Sequence, residues 1–310
     1  MRTQAFRRSR GLIALGIGCV AGLTSWGARA LAAQESAFGY VITTDLLPKG
    51  AREIQQAVTW RHEKIAGYFD GLDFRTEIEY GLTSRLQAAL ELNYSWNQAY
   101  HNGPLGATTP AEPFSYDHPD PDAHYSATRF VGVSGELTYT ILSPYTDPFG
   151  LALYEDLTGG PQFFESETKL ILQKNFLDDL LTFAFNFTYA PELRYFSPEA
   201  ETPSWQEETD VNAYFGVTYR FHRNWWAGLE FLNEREYNSY DFTEWTNSGY
   251  YVGPSFHYGG KTFFAAIVFL EQLPWATVHE ATLPGAVVDD RVYDNDFERY
   301  RVRLRVGFYP

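Results

Sequence analysis

The sequence predicts an all-β protein: a transmembrane, antiparallel, up-and-down β-barrel of about twelve strands, preceded by a cleaved signal peptide. Three observations predict it. Apolar and polar residues alternate with period two over long stretches after residue 50, and short and long connections alternate between those stretches. The chain also opens on a charged, then apolar, then small-residue leader.

The leader sets the compartment. Arg2, Arg7, Arg8 and Arg10 precede the uncharged stretch from Gly11 to Leu23, and Ala28-Arg29-Ala30 and Ala32-Ala33 offer cleavage sites. An apolar stretch this short fits a Sec-type signal peptide better than a membrane anchor. Residues 1–33 are thus expected to leave, with cleavage between Ala30 and Ala33, and residues 34–310 to form one barrel domain in the outer membrane of a Gram-negative cell. Cys19 is the single cysteine and lies in the leader, so the mature chain would hold no disulfide and no cysteine-ligated metal. Losing five leader arginines and no acid takes the formal charge from −15 to −20. That balance argues against nucleic acid as a partner. The expected partners are outer-membrane lipid and lipopolysaccharide, with the barrel-assembly machinery during insertion.

Aromatic residues make up 17% of the chain, yet no mature stretch reaches the length of a spanning helix; the longest apolar run is Phe263 to Leu270. A membrane barrel tolerates this low hydropathy, because only alternate residues meet lipid. The alternation itself is explicit. Leu72, Phe74, Thr76, Ile78 and Tyr80 interleave with Asp73, Arg75, Glu77 and Glu79; Leu86, Ala88, Leu90, Leu92, Tyr94 and Trp96 interleave with Gln87, Ala89, Glu91, Asn93 and Ser95. A helix would scatter these charges, whereas a strand puts them on one side. Similar runs give strands near 52–62, 70–80, 85–96, 127–142, 150–157, 162–174, 180–190, 207–221, 225–236, 249–258, 261–271 and 297–309.

Short connections at 81–84, 143–149, 175–179, 222–224 and 258–261 read as periplasmic turns. The longer polar ones at 97–126, 191–206, 237–248 and 272–296 read as outer loops. A soluble β-sandwich would also alternate. Strand length, aromatics gathered at strand ends and a strand that closes the chain favour the membrane barrel. In that last strand Tyr300, Val302, Leu304, Val306 and Phe308 form one face, and Arg299, Arg301, Arg303 and Arg305 the other. It resembles the C-terminal signal read by the barrel-assembly machinery, except that Tyr309 and Pro310 follow the aromatic Phe308.

Leu47-Pro48-Lys49-Gly50, the stretch from Arg75 to Thr83, the stretch from Leu142 to Leu151 and the stretch from Lys169 to Phe176 together resemble a family of functionally uncharacterised bacterial outer-membrane barrels. The resemblance covers nearly the whole mature chain. It implies the fold and the address and no activity.

Function is therefore sought in the lumen. With the aliphatic and aromatic faces toward lipid, the inward face carries the acids Asp73, Glu77, Glu79, Glu91, Glu136 and Glu167. Arg75, Arg220, Arg299, Arg301, Arg303 and Arg305 are the cations, with Arg85 also placed inward. Closure sets the arginine row of the last strand near Asp73, Glu77 and Glu79 of the second. The reading is a narrow, porin-like or solute-selective conduit whose opposed charges set ionic preference. An occluded structural or surface-interaction barrel, its charges spent on mutual salt bridges, is the alternative. An outer-membrane hydrolase stands behind both: seven histidines are present but no G-x-S-x-G elbow accompanies them. Asp117, His118, Asp120, Asp122 and His124 have divalent-metal chemistry, but Pro119 and Pro121 keep that loop extended and its spacing matches no named metal loop, so a solvated acidic tip is expected. No cofactor, metal or catalytic residue is assigned.

Overall fold

The computed structural model describes residues 36–64, 66–102, 108, 122–196, 204–277, 287–288, 290–294 and 296–310. The leader and residues 117–121 of the metal-like loop lie outside them.

The strands are β1 (Arg52–His62), β2 (Tyr68–Gly81), β3 (Leu86–Tyr100), β4 (Tyr125–Leu142), β5 (Gly150–Gly159) and β6 (Phe163–Phe176). They continue with β7 (Leu181–Phe196), β8 (Ser204–His222), β9 (Trp225–Tyr237), β10 (Trp245–Gly259) and β11 (Phe263–Gln272). A small hairpin, β12 (Val287–Val288) and β13 (Arg291–Val292), precedes the last strand, β14 (Tyr300–Phe308). Twelve of them pair antiparallel with their neighbours, and β14 pairs with β1 to close the barrel. Closure leaves no unpaired edge, which is what a strand needs to survive in lipid.

The wall is inside out relative to a soluble protein. Leu90 is 65% exposed and Ile78 56%, whereas the adjacent Glu91 and Glu77 are 1% and 5% exposed. Aliphatic residues therefore meet lipid and acids meet the interior, as the alternation requires. The run from Phe263 to Leu270 breaks the rule for a local reason. Phe263, Ile267 and Phe269 face outward, while Phe264, Val268 and Leu270 are fully buried inside. There Val268 and Leu270 pack with Leu232, Tyr251 and Phe297, a residue of the loop between β11 and β14. Both faces of β11 are apolar because both are covered.

The two ends differ. Short turns join β2–β3, β4–β5, β6–β7, β8–β9 and β10–β11 at the end where β1 begins and β14 stops. At that periplasmic end, residues 36–48 run back into the lumen, a placement for which the alternation gave no sign. They cross the interior as a belt held by inward side chains of six strands. Leu47 N–H donates to Gln87 of β3 and Thr44 N–H to Gln173 of β6. Thr140 of β4 donates to the Thr44 carbonyl. Asn186 of β7 both accepts from Ile42 N–H (2.7 Å) and donates to its carbonyl (2.8 Å), imitating a ladder partner. Glu230 of β9 accepts from Gly39, Tyr40 and Val41 N–H at 2.6, 2.8 and 3.2 Å. Arg305 of β14 donates to the Phe38 carbonyl.

Two glycines make room for the belt. A Cβ on Gly39 would lie 2.2 Å from Val268 Cγ1, and one on Gly216 would lie 2.6 Å from the Phe38 ring. Phe38 and Val41 are fully buried against Ala184, with Tyr214 packed alongside.

Candidate functional site

Between the belt and the outer loops the lumen holds two cavities. The periplasmic one, about 230 Å³, is lined by the belt with Gln55, Glu77, Glu79, Glu136, Lys169 and Arg305 among others. The outer one, about 410 Å³, is lined by Arg61, Asp73, Glu165, Asp210, Glu234 and Arg301 among others. Five residues line both: Tyr40, Arg75, Glu167, Tyr214 and Arg303. These five residues stand between the two spaces, as a common wall at the constriction of the lumen. Each comes from a different element, namely the belt, β2, β6, β8 and β14, so no short motif encodes it.

Of the residues assigned from sequence to the lumen, Arg75, Glu167 and Arg303 stand at this constriction. Glu77, Glu79, Glu136 and Arg305 line the periplasmic cavity, and Asp73 and Arg301 the outer one. Glu91 points inward but is sealed beneath Arg75, which grips both its oxygens at 3.2 Å. Arg220 sits on β8 near the periplasmic turn, paired in register with Trp226, and lines neither cavity. Arg299 precedes β14 at the outer rim, its guanidinium 3.9 Å from the centroid of the Tyr293 ring. Arg85 is a correction: it is exposed in the β2–β3 turn and donates to the Ile141 carbonyl.

The pairing across the seam is also corrected. The sequence places the arginine row of β14 near Asp73, Glu77 and Glu79 of β2, within reach across the closing strand. β1 lies between the two strands, and its own side chains are a full strand spacing closer. Arg61 takes Asp73 at 2.7 Å, and Gln55 donates to Glu77 at 2.6 Å. Glu79 accepts from Gln87 on the other side. Arg301 instead reaches inward, over the Tyr251 ring at 4.2 Å, to Glu298 and to Glu234 of β9 at 2.6 Å. Arg305 donates to Gln55.

Other charges form local pairs on the facing wall. Lys169 meets Glu167 at 2.5 Å, and Arg194 meets Glu192 at 2.5 Å and Glu208 at 3.3 Å. Two trios of carboxylates, Glu77–Glu91–Glu136 and Glu208–Asp210–Glu236, bring ligand-type oxygens within 4.8 Å of one another. Their chemistry suits a hard cation such as calcium, although Arg75 and Arg194 already meet Glu91 and Glu208. The alternation places Glu77, Glu91 and Glu136 on the inward face and could not give their register across strands. Tyr40 was missed altogether, because it belongs to the belt.

Comparison with solved structures agrees with the fold. An outer-membrane channel, the COG4313 channel from Pseudomonas putida F1, matches at 10% identity with a TM-score of 0.57, covering 86% of this chain and 98% of that one. The porin NanC matches at 12% identity and a TM-score of 0.48, over 82% and 98% of the two chains. The translocator domain of the autotransporter NalP from Neisseria meningitidis matches at 13% identity and 0.48, over 86% and 90%. At such identities the first likeness shows the barrel and nothing finer, and the other two carry no argument. Among functionally curated proteins nothing matches significantly. A family model matches residues 30–309, a range that takes in all the strands, and the chain belongs to that family of unknown function, DUF6662.

Proposed function

We propose that this barrel is a narrow conduit for small polar solutes across the outer membrane. The observation that carries this reading is the pair of cavities stacked along the lumen with Tyr40, Arg75, Glu167, Tyr214 and Arg303 as their common wall. Guanidinium groups from β2 and β14 face an acid from β6 there, so a solute crosses a transverse field. Confinement strengthens that field, because the lumen walls exclude bulk water. Lipopolysaccharide and phospholipid would be its neighbours, and the barrel-assembly machinery its route of insertion. We assign no catalytic residue.

The belt favours a second reading, an occluded barrel, because it fills part of the periplasmic half with the chain's own backbone. Planar-bilayer recording of the purified full-length protein tests both. Discrete ion conductance is expected for the conduit. Silence in the wild type and in Arg303→Ser, with the barrel still folded by its heat-modifiable gel mobility, would leave the occluded reading.

A further inference from the structure

The charges around the constriction are mostly spent. Arg61, Arg75, Lys169 and Arg301 each hold a carboxylate, and Tyr214 donates its hydroxyl to Glu234 at 2.9 Å. Arg303 differs. Among the described residues it makes no ion pair, and its Nε is buried without a hydrogen-bond partner. Its guanidinium lies 4.8 Å from the centroid of the Tyr40 ring. The Tyr40 hydroxyl is likewise buried and unpartnered, although the backbone of Tyr40 is fixed by Glu230. Two neighbouring groups that can both donate thus border both cavities with nothing to donate to. An unsatisfied buried donor destabilises the fold, more so when charged, and a site that keeps two of them is suited to an acceptor that arrives from outside.

The chemistry of that acceptor follows from the donors. Arg75 and Glu167 line the same constriction, but each already has a partner, in Glu91 and Lys169, so the charge there that lacks a counter-ion is the guanidinium of Arg303, and it favours an anion. The guanidinium fork matches the two oxygens of a carboxylate, and a phenolic hydroxyl adds a third bond from another direction. The Tyr40 and Tyr214 rings offer flat apolar surface beside it, and the outer cavity of about 410 Å³ has room for a small organic body.

We infer that Arg303 and Tyr40, with Arg75 behind them, form a binding site for the carboxylate of a small organic acid. The inference rests on the lumen being open to solute, and it deepens the conduit reading by naming what the constriction selects.

The test uses the full-length protein in detergent micelles, with benzoate as the probe and benzamide as its neutral isostere, followed by calorimetry. Saturable benzoate binding that weakens with added salt is expected, with little binding of benzamide. Arg303→Gln should weaken benzoate by about tenfold or more, the loss of a charge-assisted pair, and Arg303→Lys should restore part of it. Tyr40→Phe removes one buried hydroxyl that has no partner in the protein, so it should fold normally and weaken benzoate by about fivefold. Equal binding of benzoate and benzamide, or benzoate affinity unchanged in both Arg303→Gln and Tyr40→Phe, would overturn the site. Bilayer recordings separate this from the conduit reading. A protein that binds benzoate and passes no current keeps the site and loses the conduit, and one that conducts without binding keeps the conduit and loses the site.

Discussion

The periplasmic and outer halves of the lumen are closed by different chemistry. The periplasmic half is closed by backbone. Residues 36–48 are gripped mostly by neutral amides, Gln87, Gln173 and Asn186, with Glu230 the one carboxylate that takes three N–H groups. The outer half is narrowed by ion pairs, Arg61–Asp73 and Arg301 with Glu234 and Glu298, and by Phe297 on its apolar seat. An amide can donate and accept at once, so it replaces a missing strand neighbour and seals a space. A charge needs a counter-charge and leaves gaps around the pair that water or solute can fill. The difference teaches that the outer half keeps space between its ion pairs, whereas in the periplasmic half a peptide would have to shift for the lumen to widen.

The largest expected effect falls on the outer half. Arg301→Ser removes the shared partner of Glu234 and Glu298 and leaves two buried carboxylates, which should cost about 3–5 kcal/mol in refolding titrations at neutral pH. Arg301→Lys should recover only part, because a point charge cannot span both acids as the guanidinium does. A loss below about 1 kcal/mol, the value of an exposed pair, would erase the contrast between the halves.

In the periplasmic half, Glu230→Ala strands the N–H groups of Gly39, Tyr40 and Val41, and should cost about 2–3 kcal/mol with release of the belt. With Cys19, the only cysteine of the wild-type chain, replaced by Ser, Val41→Cys provides a lone reporter at a site that is fully buried in the wild type. Maleimide should label that thiol faster in the Glu230→Ala background, and single-channel conductance should rise. Faster labelling with unchanged conductance would show that the belt seals a region that solute does not use.

The same two halves divide what the sequence made legible. The wall was readable because period two fixes a strand and its facing together, as Leu90 against Glu91 illustrates. β7 and β8 run longer than the alternation suggested, to Phe196 and from Ser204. Pro191 lacks an N–H, and although the β6–β7 register is constant, no pair is made between Glu165↔Glu192 and Thr168↔Tyr189, which hides the continuation of the strand. The arginine row was visible as a row, but its partners depended on which neighbour lies closer, a matter of register and not of composition. The belt was invisible. Ser36 to Pro48 has no contrast between alternate residues, and its partners stand as far off in sequence as Gly39 from Glu230, 191 positions away.

The smallest expected effect sharpens the comparison at the outer rim, where a loop is held by a titrating group. Asp294 lies in the connection before β14, accepts the Ser248 N–H at 2.6 Å and donates its own N–H to Gln272. Burial and then the nearby Asp296 push its carboxyl up to about 6, against the pull of the Ser248 and Asp296 amides and of Lys64. Its ordinary value is 3.8, so between about 6 and 3.8 the folded loop holds a proton that the opened loop does not. Stability contributed here therefore rises as pH falls through that window, the reverse of a salt-bridged carboxylate, and the charged form costs the loop most above about pH 6. The change should stay local, because loops open without unfolding the barrel. Hydrogen exchange at the Ser248 amide, corrected for its intrinsic pH dependence, should slow by about threefold to tenfold between pH 7 and pH 5. Asp294→Asn keeps an oxygen acceptor and loses the titration, so it should be protected at pH 7 as the wild type is at pH 5, with no slope between. An equal slope in the two proteins would place the pH response elsewhere in the loop.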